Sequence, residues 1–476
     1  MTRLLRFLRA AAGGLLAAGG AAFAAAPPVT DELLAPLTSA YLRAVEPGEQ
    51  AEFHRELFGP VLRRVHRSFA REVDVPQLIA GALKTLEPLE PASGEPAEVF
   101  SKAINAALAT LDPYSRYLDA RAASAQRSAL RGSFGGLGLQ VEMVDGLVRV
   151  VAPIPRTPAA RAGLQSGDLI VRFDDQPVHG MTLAEAISRM RGEPGTPIAL
   201  MIRRGGHEDL LTVSLVRELI RREPVRWSME NEVLVLRLAS FPGSVSAALE
   251  QAIADATADA TPRAIVLDLR GNGGGLLRQA MTTADAFLGE GEIVSLRGRT
   301  AANRRSWHAD SNEQLAGVPM VVLIDGRTAS AAELVAAALQ ENGRATIMGQ
   351  RSFGKGSVQS MLALGEGKGA LRLTTALYHG PSGRSVQRTG VGPDIELVSA
   401  QGARAGSRRR EADRARSLPG TDEPLPPRAR VEESRCAPAR KDLDPALACA
   451  LAFIEAGGSD TFLAAFEPVE SPPADR

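Results

Sequence analysis

Aromatic residues are scarce in this 476-residue chain, at 4%. That argues against a stacking platform for nucleic-acid bases. Net charge is missing as well: 55 Lys and Arg balance 55 Asp and Glu. Without a basic excess, nucleic acid is not expected as a partner. Only two cysteines occur, Cys436 and Cys449, and they form no CxxC pair. No HExxH motif or dense cluster of metal ligands is present, and the six histidines are scattered, so neither metal nor cofactor is expected. The one N-terminal apolar stretch, Ala10–Ala22, is short and Ala/Gly-rich for a stable membrane span. What is there is ordinary globular composition, 45% hydrophobic and 23% charged. The length suffices for two or three domains.

The N-terminus has the layout of a secretory signal over residues 1–26. Arg3, Arg6 and Arg9 give a positive start, the Ala/Gly/Leu stretch follows, and Ala22-Phe23-Ala24 offers a small-x-small cleavage site. An exported, periplasmic protein is expected, with an uncleaved inner-membrane anchor as the alternative. In an exported protein Cys436 and Cys449 are open to pairing, and equally to remaining free thiols.

Residues 328–359, TASAAELVAAALQENGRATIMGQRSFGKGSVQ, carry the candidate chemistry. Ser330 lies in a run of small residues opening an apolar helix, Lys355 in a Gly-Lys-Gly turn, and Gln359 follows. A serine hydroxyl needs an adjacent base to act as a nucleophile at neutral pH. Lysine, with a reference pKa of about 10.4, serves only where burial lowers that value. Gln359 is placed to orient the amine, and the amide of Ala331 to face a developing oxyanion. His308 and His379 remain rival bases.

Several motifs, in order, resemble the carboxyl-terminal processing peptidases, the tail-specific proteases of serine peptidase family S41. They are the DPYSRYL box at Asp112, the DLRGNGGG box at Asp268, the serine box, FGKGxxQ, and GVGPD ending at Asp394. The resemblance implies Ser330 as nucleophile, Lys355 as general base and Gln359 as its positioner. It also implies a second oxyanion donor at Gly274 or Gly275, leaving open which. One departure is visible: Ala332 stands where the family commonly has serine.

The fold class implied is α/β, with a ClpP/crotonase-like peptidase core, an inserted PDZ domain and an N-terminal helical region. Residues 27–127 read as helical, with Phe58, Val61, Leu62, Val65 and Phe69 on one apolar face. Residues 86–97 are expected to loop before a helix over Phe100–Leu111. The resemblance implies dimerisation through this region and allows an adaptor lipoprotein. Residues 128–220 look like a PDZ module. Gly136, Leu137, Gly138 and Leu139 are its candidate carboxylate loop, followed by a Gln140–Met143 strand, an Asp145-Gly146 hairpin and a Thr182–Arg191 helix. Residues 221–400 form the expected core, with buried strands at Ala264–Leu269 and Val318–Asp325. Residues 401–476 read as a linker-like tail, with solvated charge at Arg408–Arg410 and a helix over Asp442–Ala456.

These readings converge on an exported serine endopeptidase acting on protein C-terminal regions through a Ser-Lys dyad. A catalytically silent PDZ scaffold binding protein C-termini is the alternative, and a hydrolase of non-peptide esters a third reading.

Overall fold

The computed structural model describes residues 28–206, 209–221, 223–300, 304–399, 409–420, 422–436 and 443–465. The expected export segment over 1–26, and Arg408, lie outside the described residues.

The N-terminal region folds as helices Asp31–Ala44, Glu49–Ser68, Val75–Leu86 and Pro96–Leu108. Thr30 and Asp74 cap the first and third, their side-chain oxygens accepting from Leu33 and Gln77 amides. The stripe Phe58, Val61, Leu62, Val65 and Phe69 is buried. Phe58 meets Tyr41 and Phe100 edge-on, with ring centroids 5.3 Å and 4.8 Å away. The fourth helix starts earlier than the apolar pattern predicts because Pro96 fits its first position. These helices do not stand apart from the core. Leu371 and Leu373, from the later strand Ala370–His379, complete their hydrophobic cluster.

The PDZ module is built around a sheet ordered Leu139–Val144, Leu147–Pro153, Leu169–Phe173, Pro197–Arg203 and Leu211–Val216. Asp145 and Gly146, with φ of 50° and 75°, make the expected hairpin turn. Helix Leu183–Met190 is capped by Thr182 and Glu185 in reciprocal bonds. Asp168, 1% exposed, accepts two bonds of 2.7 Å from Arg204. Strand Leu139–Val144 lies at the sheet's edge, directly after the glycine loop.

The core contains a seven-stranded sheet. Its order is Val225–Glu230, Val233–Leu238, Ala264–Asp268, Met320–Ile324, Thr346–Gly349, Ile395–Val398 and Ala429–Glu432. The first pair is antiparallel and the others parallel. Helices cover both faces, so its central strands Ala264–Asp268 and Met320–Ile324 are buried at every residue. Ile265 and Leu267 join one cluster with helix Ala331–Glu341, whereas Ala264 and Val266 join another with Pro445–Glu455. A second sheet pairs Ala370–His379 with Arg116–Leu118, Glu292–Arg297 and Ser357–Ala363.

The tail corrects the sequence reading. Residues 409–420 and 422–436 are not a linker: Ala429–Glu432 adds a parallel strand to the main sheet, and Glu411 is fully buried. Their few apolar residues, Leu418 and Val431 among them, join hydrophobic core clusters, and hydrogen bonds complete the docking. Arg410 is not free solvated charge; its Nη2 donates to the Ser352 and Thr389 carbonyls at 2.8 Å and 3.0 Å. Cys436 and Cys449 form a disulfide, joining the segment to helix Pro445–Glu455.

Candidate active site

Ser330 follows strand Met320–Ile324 across a tight turn and immediately precedes helix Ala331–Glu341. Its φ is 58°, a left-handed conformation that non-glycine residues hold only under surrounding constraint. Asp325 supplies much of that constraint. Its Oδ1 accepts from the amides of Gly271, Arg327 and Thr328 at 2.9–3.0 Å. Ala329 N–H donates to Asn272 O at 2.9 Å, and Thr328 Oγ1 to Leu269 O at 2.9 Å. The serine turn and the DLRGNGGG turn are therefore stitched together. Gly274 has no room for a side chain: an added Cβ would lie 2.9 Å from Ala329 O and 3.0 Å from Ser330 Cβ.

The two candidate oxyanion glycines differ. Gly274 N–H donates to Asn272 Oδ1 at 2.9 Å. The amides of Gly275 and Ala331 have no hydrogen-bond partner among the described residues, and both residues line the cleft. Gly275 is thus the better placed donor. Ala332 is fully buried in the core and does not face the cleft, so a serine there has no part in its chemistry.

Lys355 lines the same cleft, of about 800 Å³, as Ser330 and Gln359. Its amine donates to Ser357 O at 3.2 Å and to Gln359 Oε1. The Gln359 amide is itself oriented, its Nε2 donating to Ser357 Oγ at 3.1 Å and Thr374 Oγ1 at 3.2 Å. The Tyr114 ring lies beside the amine, with its centroid 4.5 Å away. Burial pulls the lysine pKa down to about 8, assisted by Arg372 and opposed by Glu411, Glu333 and Asp112. Among the described residues' hydrogen bonds, none joins Ser330 to Lys355. Such bonds are often loose before substrate arrives. His308 and His379 do not line the cleft. Burial also lowers the His379 pKa to about 4.

Sequence reasoning missed Glu333, although Ser330-Ala-Ala-Glu333 has capping-box spacing. Fully buried, its carboxylate accepts from the amides of Ser330 (2.7 Å), Gly354 (2.6 Å) and Lys355 (2.8 Å), and from Ser352 Oγ. One side chain thus fastens the serine turn to the lysine loop. Burial pushes its carboxyl up while these donors pull it down. Tyr114 was also missed. It is presented by Asp112, whose Oδ1 accepts from the Tyr114 and Ser115 amides at 2.6 Å and 2.7 Å. Among the described residues, no group of three or more His, Cys, Asp or Glu could hold a metal.

Two known domain patterns match the chain: Peptidase family S41 over residues 232–397 and PDZ domain over residues 135–215. A carboxy-terminal-processing protease of Bartonella bacilliformis is 46% identical over 301 residues, covering 63% of this chain and 69% of that one. The chain belongs to the carboxy-terminal-processing proteases. It is a serine peptidase of family S41 carrying a PDZ domain. The carboxy-terminal processing protease CtpA of Bacillus subtilis is 33% identical, covering 60% of each chain. A photosystem II D1 C-terminal processing protease of solved structure is 28% identical, with TM-score 0.47, covering 74% of this chain and 94% of that one.

Proposed function

We propose that this protease is an exported endopeptidase that recognises protein substrates by their C-terminal region and cleaves them with a Ser330–Lys355 dyad. The observation that carries the reading is the buried Lys355 amine, held by Gln359 in the cleft that Ser330 lines. Ser330 Oγ attacks the scissile carbonyl carbon while its proton passes to neutral Lys355 Nζ. The amides of Ala331 and Gly275 receive the oxyanion. Collapse breaks the C–N bond, and the leaving amine takes the proton from Lys355. Water then hydrolyses the Ser330 ester by the same proton path.

The edge strand Leu139–Val144 supports capture of an extended substrate tail, whose carboxylate meets the Gly136–Leu139 segment where that strand begins. Tail binding shifts the PDZ module toward a position that lets the dyad align. Unchanged rate and selectivity after deletion of residues 130–215 would remove that gating role. Export to the periplasm, with or without inner-membrane attachment, rests on the N-terminal signal pattern. Dimerisation through the N-terminal helices and an adaptor lipoprotein belong to the same proposal. The deciding experiment is mass spectrometry of exported proteins trapped on Ser330→Ala enzyme, recording their C-termini. Retention of a defined set of C-termini supports the reading. Full cleavage of an unfolded protein by the folded variant sinks it.

A further inference from the structure

Residues 409–420 form a strap beside Lys355, and its centre is Glu411. The Glu411 side chain is completely buried. Its carboxylate accepts from the Tyr114 hydroxyl, from Gln387 Nε2 at 3.1 Å and from Ser417 Oγ at 2.8 Å. Tyr114 is the residue whose ring covers the Lys355 amine. Gln387 reaches the lysine loop from the other side, its Oε1 accepting from Gly356 N–H at 2.9 Å. Arg414 lies over the Tyr114 and Phe353 rings, 5.7 Å and 5.4 Å from their centroids. Among the described residues, no basic side chain forms an ion pair with Glu411.

We propose that Glu411 is a positioning residue for peptide hydrolysis. Through Tyr114 and Gln387 it fixes the ring and the glycine loop around Lys355, and its carboxylate partly offsets the effect of burial on that amine. The inference rests on Lys355 acting as general base. Both Glu411 oxygens accept, one from Tyr114 and the other from Gln387 and Ser417, so a carboxylate satisfies all three donors at once. The carboxylate has a further effect, on Lys355. The charged groups acting on the amine are Glu411, Glu333 and Asp112 on one side and Arg372 on the other, with Arg414 over the Tyr114 ring. Burial is the largest influence on Lys355, and Glu411 is the largest of those opposing it. Tyr114 does not compete for the proton. Burial and the Glu411 bond push its hydroxyl far up, so it remains a donor.

The test is the pH profile of kcat/KM on a peptide substrate for Glu411→Gln, beside wild type and Lys355→Ala. Removing the negative charge lowers the lysine pKa. The acid limb therefore moves to lower pH by roughly half to one unit, and activity on that limb rises about threefold to tenfold. An unmoved limb, with Lys355→Ala inactive, overturns the role of Glu411 and leaves the dyad standing. Turnover by Lys355→Ala instead overturns the dyad, and this inference with it. Should Glu411→Gln fail to fold, Tyr114→Phe decides, because it keeps the ring but cuts it from the carboxylate. A several-fold fall in kcat with KM little changed is expected, and an unchanged kcat overturns the inference.

Discussion

Ser330 and Lys355 line one cleft but are held there by different means. The serine turn is shaped by two neighbouring loops: Asp325, Thr328 and Ala329 bond to Leu269–Asn272, and Gly274 packs against them. The lysine is enclosed by residues from across the chain, among them Tyr114, Gln359, Arg372 and Glu411. Under the proposed dyad, the difference follows from what each must supply. A nucleophile needs a position, which one strained turn can fix. A lysine base needs a lowered pKa, and desolvation depends on everything that surrounds it. Glu333 is where the two arrangements meet, bonded to Ser330 on one side and to the lysine loop on the other.

The harshest way to break the comparison is to remove either half. Ser330→Ala and Lys355→Ala are each expected to lower kcat by about 10⁴-fold or more, measured by peptide cleavage. The melting temperature of Ser330→Ala should stay within a few degrees of wild type, because its turn is held by Asp325, Thr328 and Glu333, which the substitution leaves in place. Next comes the link between the halves. Glu333→Gln turns a side-chain amide toward donors that need an acceptor. A loss of roughly 2–4 kcal/mol in stability and about 10²-fold in kcat/KM is expected from denaturant melts and kinetics. Wild-type stability in that variant would mean the turn and the loop hold their places independently.

A milder probe leaves the protein intact. With the Lys355 pKa near 8, the neutral amine grows about tenfold per pH unit below that value and levels off above it. The acid limb of kcat/KM should follow, and a limb near 6.5 would point to an imidazole instead. The smallest effect concerns stability. In the folded chain the Lys355 pKa lies below its unfolded value of 10.5. The folding cost of its charge is therefore full below about 8, shrinks as pH rises, and is gone by about 10.5. Lys355→Met should be inactive yet more stable at pH 7 by about 1–3 kcal/mol, with the gain fading in alkaline melts. A destabilised Lys355→Met would mean that the Gln359 and Tyr114 contacts outweigh the buried charge.

Legibility in the sequence follows the same division. The PDZ hairpin at Asp145-Gly146, the helix capped by Thr182, and the buried strands at Ala264 and Met320 are written in local patterns, and they appear close to where those patterns put them. Glu333 was open to the same kind of reading, three residues after Ser330. Glu411 was not. Its neighbours are arginines and a few small residues, which read as a solvated linker. Burial there comes from hydrogen bonds to Tyr114, Gln387 and Ser417 rather than from an apolar stripe. The Gly274 or Gly275 choice was equally hidden, because it turns on where the Asn272 side chain points.

The sequence by itself determined the family motifs, the order of the modules and the residue types for acyl transfer, because each depends on short-range spacing and backbone preference. Only the tertiary structure decided which amides remain free in the cleft, that the tail strand joins the main sheet, and that a buried glutamate stands behind the Lys355 aromatic wall. Those outcomes depend on burial and on partners far apart in the chain, and no local pattern encodes either.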